Sequence, residues 1–281
     1  MSQKSYDNSP TLYLIPTPIG NMDDITLRTI KALEQVEVIF SEDTRVTSQL
    51  LNHLNIKKKL ISNHNFNEEK NVEKALEYLK NGYDVGLVSD RGTPIVSDPG
   101  YGIAKYIIEN GYNVVALPGA TALIPALIVS GLNASQFLFY GFLNNKQSKQ
   151  KKELENLKTI PYTMIFYESP HRIDKTLELM LDILGNRNIS ISREISKKFE
   201  EIYRGDIKSI QEEIKDAKGE FVIVVEGCPK DEQEESTEDL IEQVEELLKQ
   251  GLNKTEAIKQ VAKENKINKN LLYNEFHKKE G

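Results

Sequence analysis

The chain is 281 residues long, 39% hydrophobic and 28% charged, with a formal net charge of −7. That length suits two domains of roughly 130 residues each plus a small appendage, and the composition excludes a disordered or fibrous chain. The acidic balance argues against a protein that coats nucleic acid nonspecifically.

The opening segment, Met1 to Pro10, is polar and lacks the apolar core of a secretory signal. Cys228 is the only cysteine, so no internal disulfide is expected, and together these features predict a cytoplasmic protein. Four scattered histidines make no metal spacing with it, and no metal is expected. The longest nearly apolar stretch, Ala122 to Val129, is eight residues with Pro125 inside, against the roughly 20 that a bilayer span needs, so no membrane partner is expected.

In chain order, β-rich runs occur at Leu12–Ile15, Val36–Phe40, Val85–Val88, Val114–Leu117, Phe137–Phe142, Thr163–Tyr167, Ile189–Ile191 and Phe221–Val225. They alternate with amphipathic stretches such as Leu27, Ile30, Ala32 and Leu33, and later Ile173, Leu177, Met180, Leu181 and Leu184, at the spacing of a helix's core face. Alternation of this kind predicts an α/β fold on largely parallel strands. The strands fall into two groups of four around the Pro118–Gly119 turn, predicting two α/β domains, 11–119 and 120–228, with a cleft between them. Residues 229–237 are acidic and read as a linker.

A helical module is predicted over 238–281. Ser236 with Asp239 opens its first helix, Asn253 with Glu256 the second and Asn268 the third, with Gly251 ending the first. Three short helices with a lysine-rich last pair resemble a helix-turn-helix module presenting Lys269, His277, Lys278 and Lys279. A small helical cap or a dimerisation element fits the same pattern.

Four polar loops follow strands: Pro16–Asn21, Glu42–Arg45, Ser89–Gly100 and Phe166–Arg172. Ligands of open α/β sheets bind beyond the carboxyl ends of strands, so four such loops predict one ligand-lined cleft. Gly-x-Gly-x-x-Gly and Walker spacings are absent, which disfavours a pyrophosphate cradle, and no Gly-x-Ser-x-Gly elbow exists. Within the Ser89 loop, Asp98 is explained as a helix cap ahead of Pro99, whereas Asp90 has no such structural reason. Carboxylate and hydroxyl groups there suit a small molecule carrying hydroxyls and an amine.

Taken together, Leu14–Asn21, Asp24–Arg28, Glu42–Arg45, Ser89–Gly100, Phe166–Arg172 and Lys218–Gly227 closely resemble the small-subunit (16S) ribosomal RNA cytidine 2′-O-methyltransferases of the tetrapyrrole methylase superfamily. The resemblance covers about residues 11–227. It implies a tetrapyrrole methylase-like fold of two α/β domains with S-adenosylmethionine in the cleft, a homodimer, and a cytidine of small ribosomal subunit RNA near the decoding centre as substrate. The motif positions it implies for the cofactor are Pro18, Gly20, Asn21, Ser89, Asp90, Gly92, Thr93, Pro94, Gly119, Ala120, Thr121, Tyr167, Glu168, Gly219 and Glu220. Glu168 and Asp43, in strand-end loops, are the candidate catalytic residues for taking the hydroxyl proton.

RNA contacts are expected from Glu42 and Arg45 in the first-domain motifs and from three basic clusters: Lys57, Lys58 and Lys59; Lys149, Lys151 and Lys152; and Lys269 with Lys278 in the tail. Arg91 stands where the resembled family usually has alanine. A guanidinium facing a sulfonium is repelled, so Arg91 is expected to face RNA phosphate instead. Two other readings fit the same residues: a related methylase with a corrinoid or protein acceptor, and a ligand-sensing nucleic-acid regulator without turnover.

Overall fold

The fold is described by a computed structural model, which covers residues 3–5, 7–64, 68–215, 217–229, 237–265 and 268–280. The chain divides into two compact units, Met1–Glu155 with Tyr162–Glu226, and Asn156–Pro161 with Gly227–Gly281.

In the first unit, β1 (Thr11–Leu14), β2 (Val38–Ser41), β3 (Lys59–Ser62), β4 (Val85–Val88) and β5 (Asn113–Ala116) form a wholly parallel sheet in the order β3-β2-β4-β1-β5. β2 and β4 are buried at every residue, the pattern of strands covered on both faces. Strand alternation sends Val38 and Phe40 to one face, with Leu76 and Leu79 of α3 (Glu68–Lys80) and Ile103 and Ile107 of α4 (Tyr101–Glu109). Ile39 points to the other, with Leu33 of α1 (Leu27–Gln35) and Leu51 of α2 (Thr44–His53). Each fully buried leucine or isoleucine contributes about 1.5–3 kcal/mol relative to exposure.

β1 and β4 are neighbours, yet β1 leads through α1 toward β2 and β4 leads through α4 toward β5, in opposite directions across the sheet. Their carboxyl ends bound the crevice where such sheets bind ligands.

The second sheet contains β6 (Phe137–Phe142), β7 (Thr163–Glu168), β8 (Asn188–Arg193), β9 (Glu201–Asp206) and β10 (Phe221–Val225) in the order β6-β7-β10-β8-β9. Here the expectation of largely parallel strands fails. Only β6 and β7 run parallel; β7-β10, β10-β8 and β8-β9 are antiparallel. The cause is a short return from β8 into β9, a strand with no fully buried residue and only Ile202 and Tyr203 adjacent as large hydrophobics, which gave no apolar run. Ala126 and Leu127 of α5 (Leu123–Val129) pack on Ile165, Val222 and Val224 of this sheet. The remaining helices of this unit are α6 (Gln147–Leu157), α7 (Ile173–Leu184) and α8 (Ile207–Glu213).

Two local expectations are also corrected. Leu27, placed on a core face by spacing, is 79% exposed, because α1 starts there and its buried face begins at Thr29. Asp98 does not cap α4: the cap position is Gly100 at φ +125°, with no side-chain hydrogen bond.

The second unit is a helical module of α9 (Thr237–Lys249), α10 (Lys254–Glu264) and α11 (Lys269–Glu280). Leu240, Ile241 and Val244 pack with Ile258, Val261, Leu272 and Phe276. Asn253 caps α10 as its spacing predicts, accepting the Glu256 N–H at 2.9 Å while its amide donates to Glu256 Oε2 at 2.7 Å. Ser236 and the acidic stretch 230–236 lie outside the described residues, as do the side chains of Lys278 and Lys279. Among the described residues no helix is long and apolar enough to cross a membrane.

Candidate active site

The loops after β1 and β4 are joined where Thr17 and Gly92 exchange backbone hydrogen bonds at 2.9 and 3.0 Å. Gly92 makes this possible: its φ is +81°, and a Cβ there would stand 3.2 Å from Ile19 Cγ2. Beside this junction lies a cavity of about 300 Å³ reached by both sheets. Of the residues the resemblance implied, it gathers Gly92, Thr93, Thr121, Tyr167, Glu168 and Glu220, together with Arg91. Sequence reasoning missed its apolar walls, Ile19, Val96, Phe142, Ile195, Phe221 and Val222, and its carboxylate Asp98. Ile19, Val96, Phe221 and Val222 lie inside motif segments but carry no polar group to single them out, Phe142 and Ile195 lie outside those segments, and Asp98 stood in the Ser89 loop but read as a cap.

A second, more polar cavity of about 210 Å³ is lined by Ser89, Asp90 and Arg91 of the same segment. Pro18, Gly20, Ser89 and Asp90 of the expected cofactor set line this second cavity, and Arg91 lines both. Asn21, Pro94, Gly119, Ala120 and Gly219 line neither. Asn21 caps a short 3-10 turn by accepting the Asp23 N–H, the Ala120 carbonyl accepts the Thr93 hydroxyl at 3.0 Å, and Gly119 packs on the Pro16 ring.

The two expected catalytic carboxylates are engaged elsewhere. Asp43 caps α2, accepting the Arg45 N–H at 2.8 Å, and holds the Arg45 guanidinium at 2.6 Å. Hydrogen bonds from Arg45 bring its carboxyl down to about 2, too weak a base for a hydroxyl proton. Glu168, its side chain 1% exposed, accepts the Ser169 N–H at 2.8 Å and the Thr176 hydroxyl at 2.6 Å and faces Arg172 at 3.5 Å. Glu168 lines the cavity, and its carboxylate ties β7 to α7.

Asp98 is the contrasting carboxylate. Burial above all, then the charges of Glu42 and Asp90, pushes its carboxyl up to about 6, opposed by a hydrogen bond from Ser89; Tyr167 faces it from β7. Glu42 is itself raised by burial, Asp90 and Asp43, with the Asp90 backbone and His64 opposing. Glu42 is thus part of a half-buried acid group, a poor neighbour for phosphate.

Arg91 joins the two sheets of this unit. Its Nη1 lies 2.7 Å from Glu220 Oε1, and Glu220 also holds Lys197 at 2.8 Å. The guanidinium is therefore paired through one nitrogen while its side chain stays 52% exposed. Gly20 belongs to the same arrangement, since its missing Cβ is where the Lys197 stem packs. Among the basic clusters, Lys57 and Lys59 are exposed at and beside the edge strand β3, with Lys59 donating to the Tyr78 hydroxyl at 2.8 Å and Lys58 half-buried. Lys149, Lys151 and Lys152 are exposed on α6, Lys269 is exposed on α11, and Arg45 is exposed but paired with Asp43.

A cavity at the switch point of a parallel sheet, walled by a second, mixed sheet, defines a ligand-binding α/β protein of two sheets. The chain belongs to the tetrapyrrole (corrin/porphyrin) methylases, whose family profile matches residues 11–211. It is 43% identical to the ribosomal RNA small subunit methyltransferase I of Bacillus subtilis, across 100% of this chain and 98% of that protein. In fold it is similar to the methyltransferase CobJ, with a TM-score of 0.60 at 20% identity over 78% of this chain and 95% of that one. It is also similar to the uroporphyrin-III C-methyltransferase of Thermus thermophilus complexed with S-adenosylhomocysteine, with a TM-score of 0.54 at 18% identity, covering 77% and 97%.

The residues of the larger cavity fit S-adenosylmethionine, the methyl donor of the family. Ile19, Val96, Phe221 and Val222 offer apolar surface to a purine. The hydroxyls of Thr93, Thr121 and Tyr167 and the carboxylates of Asp98 and Glu220 suit ribose hydroxyls, an ammonium and a sulfonium. Arg91, the one cation lining it, is neutralised by Glu220.

Proposed function

We propose that this chain methylates small-subunit ribosomal RNA, at the 2′-hydroxyl of a cytidine near the decoding centre, acting in the cytoplasm as a homodimer. The observation that carries the substrate is the full-length similarity to the Bacillus subtilis ribosomal RNA small subunit methyltransferase I. The domains are assigned as 11–119 and 120–228, with a linker at 229–237 and an RNA-contacting helical module at 238–281. The exposed lysines near β3, on α6 and on α11 supply the local positive surface that an acidic protein needs to meet RNA.

When bound, S-adenosylmethionine supplies a methyl group already activated on a sulfonium, so the protein contributes mainly proximity and orientation. Gly92 lets the backbone approach the donor, and Thr93, Thr121, Tyr167 and Glu220 hold its polar groups. Asp98 takes the ribose hydroxyl proton. It lines the donor cavity and is ionised at neutral pH, and its value near 6 makes it a far stronger base than Asp43, which stands near 2 and lines neither cavity.

The test is transfer of labelled methyl from S-adenosylmethionine to purified small subunits from cells lacking this enzyme. Label recovered in the RNA supports the reading; label in protein, or none despite donor binding, contradicts it.

A further inference from the structure

We propose that the smaller cavity, lined by Ser89, Asp90 and Arg91, is a subsite for one unstacked nucleobase carrying an exocyclic amino group. The inference rests on the RNA reading above and adds to it where the target base sits. The cavity measures about 210 Å³, and Arg91 lines both it and the donor cavity. A base held here places its sugar beside the segment whose residues line both.

The lining selects the ligand class. Pro18, Met22, Val46 and Leu50 give apolar surface for a flat ring. Asp90 and Thr47 line it as well. Asp90 Oδ1 accepts the Asp43 N–H at 2.8 Å, and its carboxylate suits an amino donor while repelling phosphate. The Arg91 charge that would offset it is neutralised by Glu220 at 2.7 Å.

Thr47 is the second, independent sign of a ligand. It is 2% exposed, and its hydroxyl has no hydrogen-bond partner. The neighbouring hydroxyls are satisfied: Thr17 bonds the Ser89 carbonyl at 3.3 Å, and Ser89 bonds the Arg91 and Gly92 carbonyls at 3.3 Å. A buried hydroxyl without a partner is costly, and a ring nitrogen or carbonyl of an entering base satisfies it. Enzymes that modify one nucleotide of a folded RNA gain access by taking it out of its stack into such a pocket.

The experiment compares wild type with Thr47→Val and Asp90→Asn, reading donor affinity by calorimetry and methyl transfer to small subunits carrying cytidine or uridine at the target position. Thr47→Val is expected to raise KM for the subunit by about tenfold while donor affinity holds, and Asp90→Asn to shrink a cytidine preference of about tenfold or more toward unity. A matching loss of donor affinity in both variants would overturn the proposal, because the cavity would then hold the donor. Unchanged KM and base preference in both would overturn it too. Saturation-transfer NMR with free cytidine separates the two readings. A wild type that methylates no subunit RNA yet binds cytidine, with that binding abolished in Thr47→Val, contradicts the ribosomal reading and supports the subsite; failure of both contradicts both.

Discussion

Arg91 and Glu220 meet at 2.7 Å, one following a strand of the parallel sheet and the other preceding the central strand of the mixed sheet, and both line the donor cavity. The side chains are 52% and 64% exposed, so the pair is screened by solvent. A double-mutant cycle with Arg91→Ala and Glu220→Ala, read by denaturant unfolding, is expected to give a coupling of about 0.5 kcal/mol that declines with salt. A coupling of several kcal/mol contradicts this picture of a solvated tie.

Asp98→Asn should lower kcat by about 10²–10³-fold with donor affinity changed only a few-fold. The active form of Asp98 is ionised, so the wild-type rate should rise with pH through about 6 and then level, and this rise should vanish in the variant. Stability carries the opposite sign. A carboxyl raised in the folded state stabilises fully below its ordinary value of 3.8 and loses that contribution as pH climbs through about 6. Because solvent screens part of the effect, the variant should gain about 1 kcal/mol over wild type between pH 4 and 8. Thermal melts across that range read it directly.

Glu168 and Asp43 should prove structural. Glu168→Ala leaves Arg172 facing a buried gap and is expected to cost about 3–5 kcal/mol in unfolding free energy. Asp43→Asn keeps an equally good helix cap and should retain turnover within about twofold. A large kcat loss in a folded Asp43→Asn enzyme returns that residue to the chemistry.

Removing the α6 lysines together, Lys149→Ala with Lys151→Ala and Lys152→Ala, should weaken RNA binding and flatten its salt dependence. Each lost phosphate interaction lowers the magnitude of the log–log slope by about 0.7–0.9. An unchanged slope places the RNA on another face.

Where local physics sufficed, the sequence was legible. The apolar runs of β2, β4 and β10 mark buried strands, and Asn253 with Glu256 marks a helix start that the structure keeps. The Pro/Gly loops after β1 and β4 pointed to the right end of the sheet. β3 and β9 were missed because these two edge strands contain no fully buried residue and no run of more than two large hydrophobics, unlike the edge strand β6. Asp98 was misread for a geometric reason: Asp-Pro-Gly imitates a cap, but Gly100 at φ +125° takes that position and releases the carboxylate to the cavity. The ion pair of Arg91 with Glu220 was not legible because the two stand 129 residues apart in sequence. Two cavities also divide a set of motif residues that the linear sequence presents as one.

The central claim is tested most directly by identifying the labelled nucleoside after transfer from S-adenosylmethionine to unmodified small subunits. Complete nuclease digestion and chromatography should yield 2′-O-methylcytidine from a single position. Label on a base, or on any other nucleoside, would contradict the account of a ribose hydroxyl deprotonated by Asp98 beside an amino-bearing base.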